Sequence, residues 1–464
     1  MMREPAFSLL KQPSPMNLQG RRVLVLGLGD TGLSVANWVD SEGGIVRAAD
    51  TRAAPPRKKD FSGDLHTGKF KASLLKDIDL VCVSPGLSLQ EELIQAALAK
   101  NIPVVGDIEL FAWAARGKSS STVLAVTGTN GKSTVTALIG HLLRSAGVDC
   151  EIAGNISPPA LTALMKRGKK RPAVWVLELS SYQLETCWSL KPDAATLLNL
   201  SEDHLDRYAG LAEYAEAKAR IFMGKGTQLL NRCDSASMAL SLPGRVQITF
   251  GMDAPAMPED FGIVRFAGRA WLARGAERIL AVDELPLAGA HNVSNALAAC
   301  ALAHLAGAPL AGLASGLRSF RGLPHRMQRV ALRGGVEWLD DSKGTNVGAT
   351  VAALIGIPQK AILILGGEGK GQDFAPLVPA VRERARHVLL IGRDAGLIEK
   401  AIAACGVPVE RFASMEKAVA RAALVAAPGD AVLLSPACAS FDMFRDYKHR
   451  GEAFAAAVKA LDHD

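Results

Sequence analysis

Paired cysteines are missing from this 464-residue chain. Its seven cysteines stand singly, with no C-x-x-C pair. That excludes a disulfide framework or a thiolate zinc site and predicts reduced thiols in a cytoplasmic protein. Long apolar runs are missing too. None reaches the length of a membrane span, and the N-terminus lacks a signal-peptide core, so no stable membrane insertion is expected. The first seventeen residues are polar and contain proline, as a loose tail would be. Nor does one charge dominate: 53 Lys+Arg face 46 Asp+Glu, a net +7. The basic residues are scattered apart from "RKK" at 57–59 and "KRGKKR" at 166–171, which read as solvated loops. No nucleic-acid surface is expected, although a mildly positive chain suits a polyanionic substrate. No internal repeat or low-complexity stretch stands out.

What is present is an ordinary globular composition, 49% hydrophobic and 21% charged, in a chain too long for one core. Short apolar runs recur between helical stretches: "RVLVLGLG", "DLVCVSPG", "TVLAVTG", "AVWVLELS", "DAATLLNL", "AILILGG", "HVLLIGR" and "AVLLSPA". Such alternation predicts an α/β protein of parallel sheets covered by helices. The polar "ARGKSSST" at 115–122 and the Gly- and Arg-rich "LRSFRGLPHRMQ" at 317–328 divide it into segments 1–117, 118–322 and 323–464.

The middle segment opens with "VTGTNGKSTV" at 126–135, between a strand-like run and a helix-like one that stops at Gly147. It departs from G-x-x-x-x-G-K-[ST], because Val126 stands where the first glycine belongs and Gly128 follows two residues later. Strand, loop and helix in that order still predict a cradle of backbone N–H groups for phosphates, with Lys132 reaching their oxygens and Ser133 a magnesium ion. In the first segment, "VLVLGLGDTG" puts Gly27, Gly29 and Gly32 after a strand, and Asp50 ends the next apolar stretch. This is the full dinucleotide fingerprint. Its glycines supply a tight turn and an open helix N-terminus, which a nucleotide-sugar diphosphate satisfies as well as NAD does. Asp50 would accept from a ribose hydroxyl or a base N–H, and "VSPG" at 83–86 adds a turn at the same edge.

Further chemistry gathers at other strand ends. Glu178 closes an apolar strand, where a buried carboxylate calls for a cationic partner such as magnesium. His204 lies between Asp203 and Asp206 beyond "ATLLNL", and Lys218 falls in the helix-like "LAEYAEAKARIF", where a solvated charge is the plain reading. The last segment offers Arg326, Lys343 and Lys370 as cations, then Ser440 and Asp442, all near strand ends where open α/β sheets bind ligands.

In order along the chain, "TGTNGKST", "ELSSYQLE", "NLSEDHLDRY", "HNVSNALAA", "GLPHRMQ", "DDSKGTN" and "SPACASFDMFRDYKHRG" resemble the Mur ligases, the ATP-dependent amide-forming enzymes of peptidoglycan precursor synthesis. The resemblance spans nearly the whole chain. Tyr182 and Glu368 depart from residues common in the family, where Phe and Asp often stand. It implies a Rossmann-like N-terminal domain, a central P-loop ATPase-type parallel-sheet domain and a C-terminal Rossmann-like α/β domain. "GLGDTGLS", "LELSSYQLE", "DSKGTN" and "SPACASFD" are similar to the branch that adds glutamate to UDP-N-acetylmuramoyl-L-alanine.

Residue roles follow from the resemblance. Gly128, Thr129, Asn130, Gly131, Lys132, Ser133 and Thr134 would hold ATP, joined by Asn292, His325, Arg326 and Asp341. Two magnesium ions would sit on Ser133, Glu178, His204 and a carbamate carried by Lys218. The uridine diphosphate end of the sugar nucleotide would meet Gly29, Asp30, Thr31, Gly32, Asp50, Thr51, Arg52, Ser84, Pro85 and Gly86. Asn155 would position the substrate near its reacting end, Ser181 and Gln183 would also contact it, and Lys343, Thr345, Lys370, Ser440 and Phe441 would hold the incoming glutamate. A monomer is expected. Three rivals stay open at this point: a nicotinamide-linked oxidoreductase with a separate ATP site, a nucleotide switch, and a sibling ligase acting on folate or adding another amino acid. D- and L-glutamate are not distinguished.

Overall fold

The computed structural model describes residues 12–115, 121–203, 207–287 and 289–461. Most of the junction expected at 115–122 and of the expected N-terminal tail therefore lies outside the described residues. All eight apolar runs form strands, distributed over three sheets. The first sheet has five parallel strands in the order Asp64–Thr67, Ile45–Asp50, Arg22–Leu26, Leu80–Val83, Val104–Val105. Its strand order reverses at Arg22–Leu26, so the crevice for a ligand opens at the Gly27–Gly32 turn.

The central sheet has nine strands. Seven run parallel, from the edge strand Cys150–Gly154 through Val174–Glu178, Thr122–Thr127, Ala194–Leu197, Thr227–Asn231 and Gln247–Phe250 to Phe261–Phe266. An antiparallel extension, Arg269–Arg274 and Glu277–Ala281, completes it. Thr122–Thr127 is the switch strand here, with Val174–Glu178 and Ala194–Leu197 on either side. The third sheet begins with the antiparallel strand Gln328–Arg333 and continues in parallel through Val336–Asp340, Ala431–Leu434, Ala361–Gly366, Ala385–Ile391 and Val409–Arg411.

The first two sheets share apolar cores. Val23, Val25, Val35 and Leu80 cluster with Ala125, Trp175, Leu177 and Leu197 of the central sheet. Phe111, on the helix Asp107–Ala115, meets Trp175 edge-on at 5.2 Å. Leu24, Leu26 and Val83 pack with Trp188, Tyr208 and Tyr214 on the opposite side. The third sheet closes its own two cores. Its seam with the central sheet includes polar contacts: Asn346 Nδ2 donates to Asn130 Oδ1 (3.1 Å) and Asp203 Oδ2 (3.2 Å), and Lys343 Nζ donates to Ser133 Oγ (2.8 Å). No helix among the described residues is long and apolar enough to cross a membrane.

Candidate active site

The phosphate-type loop leaves the switch strand and enters the helix Lys132–Ser145 at Gly131. The segment after Ala194–Leu197 pins it. Asn199 Oδ1 accepts from Asn130 N–H at 2.9 Å, and the Asn199 carbonyl accepts from Thr129 N–H at 2.9 Å. Thr129 Oγ1 exchanges hydrogen bonds with the Ser201 backbone. A loop fixed this way needs little ordering on binding; with the Thr129 and Asn130 N–H groups spent on Asn199, it is the helix start at Gly131 that is left to meet an anion. Lys132 Nζ lies back on the loop, donating to the Gly128 and Thr129 carbonyls at 2.9 and 2.8 Å.

Four basic side chains surround this loop. Burial holds the Lys132 ammonium below the usual lysine range, against the pull of Glu178 and Asp203. Lys343 is pushed down to about 8, by burial first and Arg326 second. Arg326 donates to Ser133 Oγ at 3.4 Å. Lys218 is 1% exposed, not the solvated helix-face lysine of the plain reading. Its Nζ donates to the Gly128 carbonyl (3.0 Å) and lies over the Tyr214 ring. Burial, then Lys132, carries its pKa well below the lysine range. Burial of this kind favours the neutral amine over the ammonium.

Glu178 answers this charge. It is 1% exposed; Oε1 accepts from Asn155 Nδ2 at 2.7 Å, while Oε2 is buried with no hydrogen-bond partner among the described residues. An orphaned carboxylate oxygen near the loop, with the hydroxyl of Ser133, fits a hard divalent cation. Among the described residues no group of three His, Cys, Asp or Glu side chains gathers for a metal. His204, with Leu205 and Asp206, lies outside the described residues.

A cavity of about 980 Å³ runs from the first sheet to this point, lined by all three sheets' loops. Its lining includes Gly29, Asp30, Thr31, Asp50, Thr51, Arg52, Ser84, Pro85 and Gly86 of the first segment, Asn155 and Gln183 of the second, and His325, Arg326, Lys343, Tyr447 and Lys448 of the third. Gly32 is a packing residue, since a Cβ there would fall 1.8 Å from the Gly27 carbonyl oxygen. Asp50 is engaged within the chain. Its Oδ2 accepts from Leu28 N–H (2.7 Å) and Arg52 Nη2 (2.7 Å), and its Oδ1 accepts from Arg52 N and Nε, both 2.9 Å. Burial raises its pKa, but the bonds from Arg52 and Leu28 outweigh that and leave it lowered. The carboxylate thus braces the turn and aims Arg52.

A second cavity, about 130 Å³, lies between the central and third sheets, lined by Asn130, Gly131, Thr134, Asn292, Arg326 and Asp341 among others. Burial pushes Asp341 up to about 7, although Ser435 donates to it at 2.8 Å. Two expected residues fall elsewhere. His325 lines the larger cavity, not this one, and is paired with Asp340. Phe441 is 66% exposed and lines neither cavity. Nor do Thr345, Lys370, Ser440 and Ser181 line either; Ser181 is buried as the first residue of the helix Ser181–Glu185, and Ser440 is 3% exposed with its carbonyl accepting from Met443 and Phe444. Sequence reading missed Tyr447, whose ring lies 5.2 Å from Lys343 Nζ, and the Asn199 and Asn346 braces. Tyr447 opens the helix Tyr447–Ala460 behind the cap Asp446, a start legible as Asp before a helical run.

Comparison with known families finds residues 21–106 matching the Mur ligase MurD-like N-terminal domain. Residues 126–303 match the Mur ligase middle domain and 325–438 the Mur ligase glutamate ligase domain. The chain is 52% identical over 457 residues to a UDP-N-acetylmuramoylalanine–D-glutamate ligase of Nitrosospira multiformis, covering 96% of this chain and 97% of that one. It is 52% identical over 458 residues to the protein of the same name from Aromatoleum aromaticum, covering 96% and 98%. Among solved structures, a UDP-N-acetylmuramate–alanine ligase of Thermotoga maritima superposes with a TM-score of 0.64 at 19% identity, covering 95% of this chain and 99% of that one.

Proposed function

The chain belongs to the Mur ligase family, and from that premise we propose that it joins D-glutamate to UDP-N-acetylmuramoyl-L-alanine at the expense of ATP. The observation that carries the reading is the single cavity from the Gly-rich turn to Ser133's neighbours Lys343 and Arg326. It has room for a sugar nucleotide whose diphosphate meets the first helix and whose carboxylate reaches the phosphate loop. The stereochemistry follows the relatives, which act on D-glutamate.

Making an amide from a carboxylate at neutral pH requires a better leaving group than hydroxide. The γ-phosphoryl group of ATP passes to the L-alanine carboxylate, giving an acyl phosphate. The N–H groups at the helix start and Lys132 hold the phosphates, while Arg326 and Lys343 stand where negative charge must pass between the substrates. Glutamate's amine then attacks the carbonyl carbon, and phosphate leaves. Ser133 and Glu178 Oε2 would hold a magnesium ion, with His204 and carbamylated Lys218 serving a second. A bound divalent cation supplies charge neutralisation to the phosphates. Lys218 suits carbamylation because only a neutral amine adds carbon dioxide, and its burial favours the neutral form. A site assembled from three sheets of one chain supports a monomer, and seven free thiols suit the cytoplasm.

Phosphate release from ATP tests the reading. It should require both UDP-N-acetylmuramoyl-L-alanine and D-glutamate, with L-glutamate and other amino acids weak. Fast hydrolysis with either omitted would identify a switch and refute the ligase.

A further inference from the structure

Glutamate's amine is an ammonium at neutral pH and must lose a proton before it can attack. Taking the ligase reading as its basis, we propose that His325 accepts that proton, with Asp340 as the residue that positions its imidazole. His325 Nδ1 lies 2.7 Å from Asp340 Oδ2. Asp340 is 1% exposed, and its other oxygen accepts from Ser342 N–H at 2.8 Å, so the carboxylate is fixed in place. When Nδ1 donates to a carboxylate, the lone pair resides on Nε2, the form a base requires. His325 lines the large cavity beside Lys343 and Tyr447, where the acyl group and the amine must meet.

Two independent features show that this pair is built in. His325 has φ +60, a left-handed conformation that few residues other than glycine adopt and that clusters at functional sites. Gly451, inside the helix Tyr447–Ala460, stands where a Cβ would fall 2.2 Å from His325 Nδ1 and 2.6 Å from Asp340 Oδ2. That helix therefore accepts a glycine in its interior to leave room for the pair. The charges around it come from several elements. Arg326, Lys343, Asp446 and Lys448 line the same cavity, Arg450 interacts with Asp340, and the Tyr447 ring stands edge-on to His325 at 6.2 Å.

The step balances. A proton passes from the ammonium to Nε2, and the freed nitrogen lone pair forms the C–N bond at the acyl phosphate carbonyl. Collapse breaks the C–O bond to phosphate, which departs with that electron pair and takes the second N–H proton. The imidazolium then returns its proton to water.

The test compares the wild-type full chain with His325→Gln, Asp340→Asn and Gly451→Ala. In His325→Gln, kcat should fall about 10²–10⁴-fold, as for loss of a general base, while calorimetric ATP affinity stays within about threefold. Its residual kcat should climb roughly tenfold per pH unit between pH 7 and 9, because the ammonium must now shed its proton to solvent. Asp340→Asn and Gly451→Ala should show the same climb with smaller losses. A kcat within tenfold of wild type, a residual rate flat in pH, or ATP affinity lost in step with kcat would overturn the proposal in favour of a nucleotide contact or a structural role. Should His325→Gln not fold, the pH profiles of the other two variants decide alone. Failure of the ligase reading looks different: the wild type itself would then release no phosphate in response to glutamate.

Discussion

Asp50→Ala separates two ways in which the first sheet could read a nucleotide. The substitution removes three contacts to Arg52 and the acceptor of Leu28 N–H. Hydrogen bonds to a charged group contribute about 1.5–3 kcal/mol each. The Arg52 side chain is 53% exposed, so solvent screening places its bonds at the low end of that range. If about 1.4 kcal/mol of the loss falls on the ligand, affinity for UDP-N-acetylmuramoyl-L-alanine drops about tenfold. ATP affinity should hold, since its loop belongs to the central sheet. Isothermal calorimetry on Asp50→Ala, Arg52→Ala and the double variant reads the mechanism. If Asp50 works by aiming Arg52, the double variant is no worse than the poorer single one, because the two act as a unit. Fully additive losses of about 100-fold would refute that account and give Asp50 its own ligand contact. Tight NAD binding without response to the UDP-sugar would overturn the assignment of this crevice altogether.

Lys218→Ala should lose more activity than the ~10–100-fold typical of an outer-sphere partner, and small carboxylic acids should partly restore it; full activity in steady-state assays would return Lys218 to a packing role. Lys132→Ala should abolish phosphate release while circular dichroism stays unchanged, because its two bonds are local to the loop. Asp341, at about 7 in the fold against 3.8 unfolded, binds a proton in the folded chain that the unfolded chain has released. Stability should therefore fall as pH rises from about 4 to 7, by up to ~4 kcal/mol. Asp341→Asn should remove that slope, measured by hydrogen exchange in the strand Val336–Asp340; an unchanged slope would assign it to other groups.

The eight apolar runs were legible because a strand covered on both faces is written as continuous Val, Leu and Ile. The sheet edge from Phe261–Phe266 through Glu277–Ala281 was not, since its strands are half exposed and carry Arg265, Arg269, Arg274 and Arg278 among their apolar residues. At the site, Gly-rich turns betrayed the phosphate loop and the first crevice, because backbone conformation is local. Lys218 read as solvated because its burial depends on the loop at 127–128, about ninety positions earlier. Tyr447 was missed because it comes near the site only with the helix it opens, well beyond the strand end; Phe441, named through the resemblance, is exposed here. His325's partner Asp340 was equally invisible, since pairing across fifteen residues leaves no spacing signature.

The apolar cores common to the first two sheets set the units in which this protein can be taken apart. Cleaving the chain near residue 117 would strip Val23, Val25 and Phe111 of Trp175 and Leu177, leaving an oily wall facing water on both fragments. The first-sheet crevice is therefore not a portable module; expressed alone it should aggregate. The third sheet closes its own cores and meets the rest through contacts such as Asn346 and Lys343. A fragment beginning near residue 323 should fold autonomously and melt as a separate cooperative unit. Heating the intact protein should then give two transitions: a larger one for the fused pair of sheets, and a smaller one that ligands spanning the seam draw toward it.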